Sequence, residues 1–320
     1  MRQARIRSRS LGGRLLHLGA VLLLVTLVGT ALTDLMPGSP ASIILGPTAT
    51  DEAIASLNAE YGYDRPLPER YLQWLGSALT GDLGVSIQSN QPVVEVLLQR
   101  LPVTLELTVL ALILSLAIAI PAAVFAASRE NSVFDRVFSG VASGFMSVPV
   151  FVVGVLLVYV LAVATRWFPV AGWAPLTSGV GANLHYVFVP VLALALGEFP
   201  AFYRLLRSDV ISTLREDFVQ TATVRGLPRS YILRRHVLRP SSFSLITVAA
   251  VAFGRLVAGS VVVESLFALP GLGSLALQSI PAKDIPMIQG IVVLVAVTYV
   301  LVNAIVDAAY AVLDPRMRRS

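Results

Sequence analysis

Six apolar runs divide the chain, each near the length a helix needs to cross a bilayer. They constrain the fold more than any other feature. About 20 residues rising 1.5 Å each span the ~30 Å hydrocarbon layer. The runs are Leu15–Leu35, Leu105–Ala127, Val137–Ala164, Val187–Leu206, Leu245–Phe267 and Met287–Leu313. The third and sixth exceed the minimum, so they have room to tilt or to extend past the lipid. Only 13% of residues are charged and mean hydropathy is +0.77, whereas soluble domains carry about 25% charge. The expected class is all-α: a polytopic membrane bundle of about six transmembrane helices. No stretch reads as a separate soluble domain.

Arginine placement orients the bundle. The tail carries Arg2, Arg5, Arg7, Arg9 and Arg14, and the 128–136 loop carries Arg129 and Arg136. The 207–240 insert carries Arg207, Arg215, Arg225, Arg229, Arg234, Arg235 and Arg239, with Arg204 at its edge. Arg316, Arg318 and Arg319 close the chain, so 18 of the 24 basic residues lie on one side. That side is read as cytoplasmic, with both termini on it. The expected divisions are a basic tail (1–14), a first helix (15–35), an extracytoplasmic loop region (36–101) and a permeation core (102–320) holding the insert. A basic start, an apolar run and Gly29-Thr30-Ala31 also resemble a signal peptide. The run is longer than the usual ~7–15 residues of such a peptide, and the helix is read as retained. The net charge of +5 belongs to this topology and calls for no nucleic-acid partner.

The insert reads TLREDFVQTATVRGLPRSYILRRHVLRP from Thr213 to Pro240. Thr213 and Glu216 make a T-x-x-E capping box. Leu214, Phe218 and Ala222 share one helical face. Gly226 suits a helix end and Pro228 forbids continuation. The pattern predicts a helix of about twelve residues, roughly 18 Å long, that serves as a peg for a soluble partner; an amphipathic helix on the membrane surface is the alternative. Charges inside the spans are expensive. Glu198, Arg255 and Glu264 therefore either line a translocation path or pair to hold spans together, and Asp307 is read as structural. Pro121, Pro149, Pro190 and Pro200 mark kinks that either shape the bundle or act as hinges. Gly140 and Gly144 form a G-x-x-x-G pair read as packing within the subunit. In the 36–101 region, Tyr71 and Trp74 suit an interfacial belt or a docking surface. The chain has no cysteine, which excludes disulfides and thiolate metal sites. Its three histidines lie too far apart in sequence to suggest a metal site.

Several motifs occur in the order seen in one family. QTATVRGLP (220–228) resembles the EAA loop, E-A-A-x-x-x-G, with Gln220, Thr221 and Ala222 in the leading positions and Gly226 at the glycine. LMPGSP (35–40), YLQWLGSALTGDLGVSI (71–87), PVVEVLLQRLPVTLELTVLAL (92–112), VVVESLFALPGLGSLAL (261–277), KDIPMIQG (283–290) and NAIVDAAYAVLDPR (303–316) accompany it. The chain resembles the first of the paired permease subunits in ABC importers of the dipeptide/oligopeptide/nickel branch. The resemblance covers residues 10–317 and implies the type I ABC importer permease fold in a bacterial-type inner membrane. It also implies a heterodimer with a second homologous permease, two cytoplasmic ATPase subunits and an extracytoplasmic substrate-binding protein. The chain has no G-x-x-x-x-G-K-[ST] loop. By the same resemblance it is not itself an enzyme and binds no cofactor, with ATP and Mg on the partner subunits. The coupling helix falls at Glu216–Gly226. Phe218 and Ala222 are its apolar contacts, Glu216, Asp217 and Arg225 its polar ones, and Gly226 its turn. The implied cargo is a di- or oligopeptide, or a related small solute. The alternatives are an ion-coupled secondary transporter, which usually shows internal repeats, and a membrane scaffold or enzyme.

Overall fold

The computed structural model describes residues 11–34, 40–46, 48–60, 62 and 64–313. Arg2, Arg5, Arg7, Arg9, Arg316, Arg318 and Arg319, and the side chains of Arg14 and Asp307, lie outside the described residues. Among the described residues every regular element is helical, apart from one isolated bridge between Val85 and Pro92. The chain divides into two compact units, Met1–Pro102 with Leu275–Ser320, and Val103–Ser274.

The first unit contains α1 (Leu11–Asp34), α2 (Pro40–Leu45), α3 (Asp51–Glu60), α4 (Leu67–Leu79) and the opening turns of α5 (Val93–Ser128). It also takes the end of α13 (Leu272–Ser279) and all of α14 (Ile285–Leu313). The 36–101 region is thus largely helical, and α5 begins well before Pro102. Thr50 starts α3 by accepting from the Ala53 N–H at 3.3 Å, and Asp51 and Glu52 complement the helix dipole. Polar side chains join the helices where apolar contact alone is weak glue. Gln289 on α14 donates to Thr30 on α1 at 2.7 Å. The Tyr71 hydroxyl on α4 donates to the Leu23 carbonyl at 3.0 Å and shares a 2.9 Å bond with Thr26. Asp284 caps α14 through the Met287 N–H and collects Ser86 Oγ and the Ile87 and Gln88 N–H groups. A Cβ on Gly290 would stand 2.5 Å from Val93, so α14 and α5 touch through a glycine.

The second unit is organised around α8 (Val180–Leu214), 35 residues and about 52 Å long. The remaining elements are α6 (Val133–Ser147), α7 (Val150–Leu157) continuing in wide turns through Val158–Ala164, and α9 (Asp217–Val224). After them, α10 (Arg229–Tyr231) passes through wide turns at Ile232–Val237 into α11 (Leu238–Gly259), and α12 (Val261–Leu266) follows. Ala119, Ala122, Ala123 and Ala126 of α5 join Phe199, Phe202, Tyr203 and Leu206 of α8 in one buried cluster. The small residues let helix backbones approach closely.

Among the described residues three single segments are long and apolar enough to cross a membrane: α5, α8 and Ile285–Val302. The number rises to five when two bent pairs are each counted as one span, and α1 adds the shorter apolar stretch Gly19–Ala31. One bent pair corrects the expected third span: Val137–Ala164 is not one helix. Val133–Ser147 and Val150–Ala164 meet at 105°, and each, at about 22 Å, is too short to cross alone. Pro149 lacks the N–H that would continue the helix and holds Val148 in an extended conformation (φ −104°, ψ 125°). Pro190 and Pro200, equally suspect by sequence, sit inside α8 without breaking it. Among the described residues a Cβ on Gly140 or Gly144 meets nothing within 4 Å, so the expected close packing at this pair is not seen there.

Candidate functional site

α8 stops at Leu214, Arg215 and Glu216 turn the chain, and α9 leaves on a new axis. The capping box does not form, because α8 runs through Thr213, whose hydroxyl pairs with Ser241 at 3.1 Å. Glu216 takes the N-cap position in an extended conformation (φ −70°, ψ 145°) with no side-chain cap. The helix is therefore eight residues rather than twelve, and Leu214 does not share its face. Val219 and Ala222, three residues apart, are buried with Leu206, Val210, Ile232 and Val237. Gly226, at φ +75°, ends the helix in a double bond pattern. The Leu227 N–H donates to the Ala222 carbonyl at 3.3 Å and the Gly226 N–H to the Thr223 carbonyl at 3.0 Å. Both satisfy carbonyls that a helix end leaves open.

The other face is open. Glu216, Asp217, Gln220, Thr221, Arg225 and Gly226 are exposed. So are Phe218 and Val224, at 47% and 88% of their surface. Leu227 and Tyr231, which sequence reasoning passed over, are exposed as well. Of the residues assigned to partner contact, only Ala222 turns inward to the chain's own core.

Arginines tie this region to the α5–α6 connection. Arg215 pairs with Glu130 at 3.1 Å, and Arg229 donates to the Ser128 carbonyl. The strongest link was not anticipated: Arg207 grips Asp135 with two bonds of 2.5 and 2.7 Å. Asp135 is 3% exposed and also accepts from the Asn131 N–H at 2.9 Å. The Arg207 guanidinium holds its carboxyl below the usual carboxylate range. The spacing of Ser132 and Asp135 was the available signal, since the Ser132 hydroxyl accepts from the Asp135 N–H at 3.2 Å.

The charges inside the apolar runs separate into two groups. Glu198 on α8 and Arg255 on α11 pair as two forks, Nε to Oε1 at 3.2 Å and Nη2 to Oε2. Glu264 stands apart, with no exposed surface. It accepts from Thr104 at 2.7 Å, Ser260 at 2.8 Å and the Ser274 N–H at 3.0 Å. In this conformation it holds the turn between α12 and α13.

Several helices apolar enough to cross a membrane, with a short, water-facing helix between two of them, define a polytopic membrane protein. Comparison with known proteins makes this specific. The family described as the binding-protein-dependent transport system inner membrane component matches residues 119–319. The N-terminal membrane component of such systems matches residues 8–108. The chain belongs to this family of ABC importer permeases. It is 35% identical to a probable peptide ABC transporter permease protein, y4tP, of Sinorhizobium fredii over 95% of this chain and 97% of the relative. It is 32% identical to the glutathione transport system permease protein GsiC of Escherichia coli, again over 95% and 97%. A chain of the inward-facing MetNI methionine ABC transporter shares the fold, with a TM-score of 0.57 at 17% identity, covering 68% of this chain and 96% of that one.

Proposed function

We propose that this permease passes di- or oligopeptides, or a related small solute such as glutathione, through the inner membrane. An extracytoplasmic protein delivers the cargo and two cytoplasmic ATPases power the step. The chain works beside a second, homologous permease, with both termini and α9 in the cytoplasm. ATP and Mg reside on the ATPases and the chain itself catalyses nothing. The names of its relatives support the cargo, and the arginine asymmetry supports the orientation.

The observation that carries the coupling role is α9 itself. Val219 and Ala222 fix one face in the core of the second unit, while Phe218 and Val224 stand uncovered on the other. A partner that displaces Phe218 therefore moves α8 and α11 with it. Glu216, Asp217, Gln220, Thr221 and Arg225 supply the polar rim, and Gly226 the turn. Glu198 and Arg255 belong to the path, whereas Glu264 reaches it only if its turn opens. The test is reconstitution of both permeases and both ATPases with the delivering protein in proteoliposomes. Uptake driven by internal ATP and indifferent to protonophore is the expected result. Uptake that needs an ion gradient and no ATP would refute it.

A further inference from the structure

The Glu198–Arg255 pair lines an open cavity of about 370 Å³ within the second unit, beside the break between α6 and α7. That volume falls in the roughly 300–1,000 Å³ range of small-molecule sites. Phe145, Val148 and Val150 form an apolar wall, and Gly197, Ala201 and Gly259 add almost no bulk around the charges. The partners are unequally placed: the Glu198 side chain is 11% exposed and that of Arg255 58%. The pair joins α8 to α11, yet more than half of the Arg255 side chain stays open to an arriving solute. Those helices are already joined through the cluster containing Phe202, Leu206, Leu245 and Ala252.

We infer that this pair is an exchangeable binding site for a zwitterionic solute with a free carboxylate, such as a peptide C-terminus. The inference rests on the peptide and path readings above. The guanidinium fork matches any carboxylate, and Glu198 already occupies it as the solute would. On arrival the solute carboxylate replaces Glu198 on Arg255, and the solute ammonium group takes the released Glu198. Two ion pairs replace one pair and one free zwitterion, so no charge is stranded in a medium that penalises lone ions. A solute with only one of the two charges leaves either Glu198 or Arg255 without its counter-ion. The empty site carries no net charge, so neither end of a zwitterion is repelled on approach.

The experiment compares tri-alanine with its C-terminal amide and its N-acetyl form in proteoliposomes holding the whole complex and one unchanged binding protein. Any variant-specific change in the ratio between probes then belongs to this chain. Arg255→Gln should lower kcat/KM for tri-alanine at least tenfold while sparing the amide, and Arg255→Lys should restore part of the loss. Glu198→Gln should reverse the pattern, discriminating against the free amine relative to the N-acetyl peptide. Equal loss for all three probes from normally assembled complexes would overturn carboxylate recognition and leave the path reading standing. Unchanged uptake in both glutamine variants would remove the pair from the path, and the proposal with it. A wild-type complex that carries none of the probes would refute the peptide reading, on which the proposal depends.

Discussion

Substituting Gly271 by alanine should cost the second unit about 3–5 kcal/mol, and the structure shows where that comes from. A Cβ at this position would lie 2.3 Å from Glu264 Cδ and 2.4 and 2.5 Å from its oxygens. Gly271 is not among the positive-φ glycines, so the penalty is steric rather than conformational. Ordinary contact needs 3.4 Å or more, and the carboxylate must withdraw by about 1 Å. It has nowhere to go without stretching its bonds to Thr104 (2.7 Å), Ser260 (2.8 Å) and the Ser274 N–H (3.0 Å). Each buried donor left unsatisfied costs about 1–3 kcal/mol, and a 1 Å shift breaks at least two. At roughly 2–4 °C per kcal/mol for a unit of this size, the melting temperature in detergent should fall by about 6–20 °C. Glu264→Ala alone should cost a similar amount, because it orphans the same donors. The double variant should cost clearly less than the two singles together, since removing Glu264 vacates the space the new methyl needs. Strict additivity, or a Gly271→Ala protein as stable as the wild type, would refute this account of the turn.

Three further outcomes follow from the same geometry. Asp135→Asn should destabilise by about 3 kcal/mol, the low end for a pair that loses one buried partner. The depressed carboxyl means that the wild-type advantage is present above the ordinary value of 3.8 and fades as pH falls through the lower folded value. The melting temperatures of wild type and variant should therefore differ by the same amount from pH 7 to 5 and converge only in strong acid. Gly226→Val must hold a branched residue at φ +75°, costing more than the ~1–2 kcal/mol of an ordinary residue. It should insert normally yet lose uptake while ATP hydrolysis continues, whereas Gly226→Asn, which tolerates that conformation, should keep coupled transport. Phe218→Ala should change stability by less than about 0.5 kcal/mol yet weaken ATPase binding about tenfold or more. Val219→Ala, one residue on but buried, should show the opposite balance, losing roughly 1–3 kcal/mol of stability; equal effects from both would discredit the two-faced description of α9.

What the sequence alone determined was whatever depends on local chemistry and on solvent. Apolar runs of spanning length must become helices in hydrocarbon, because no other segment satisfies its own backbone there. Gly226 had to end α9, since a left-handed residue followed by Pro228 leaves no way to continue. The charged insert had to face water. What only the tertiary structure decided was how equivalent local signals resolve in different surroundings. Each of Pro149 and Pro200 removes a helix hydrogen bond, but Pro200 is buried within α8. Pro149 and its neighbours Ser147 and Val148 are exposed, and there the chain turns by 105°. Thr213 and Glu216 spell a helix start, yet the preceding helix runs through Thr213 because Leu206 and Val210 anchor it in the core. Glu198, Arg255 and Glu264 looked alike as costly charges in apolar runs. Residues 57 and 160 positions away, Arg255 for Glu198 and Thr104 for Glu264, separate an ion pair at a cavity from a buried clamp on a turn. A charge within a membrane span demands a partner, but which partner it finds depends on helix packing that brings distant parts of the chain together.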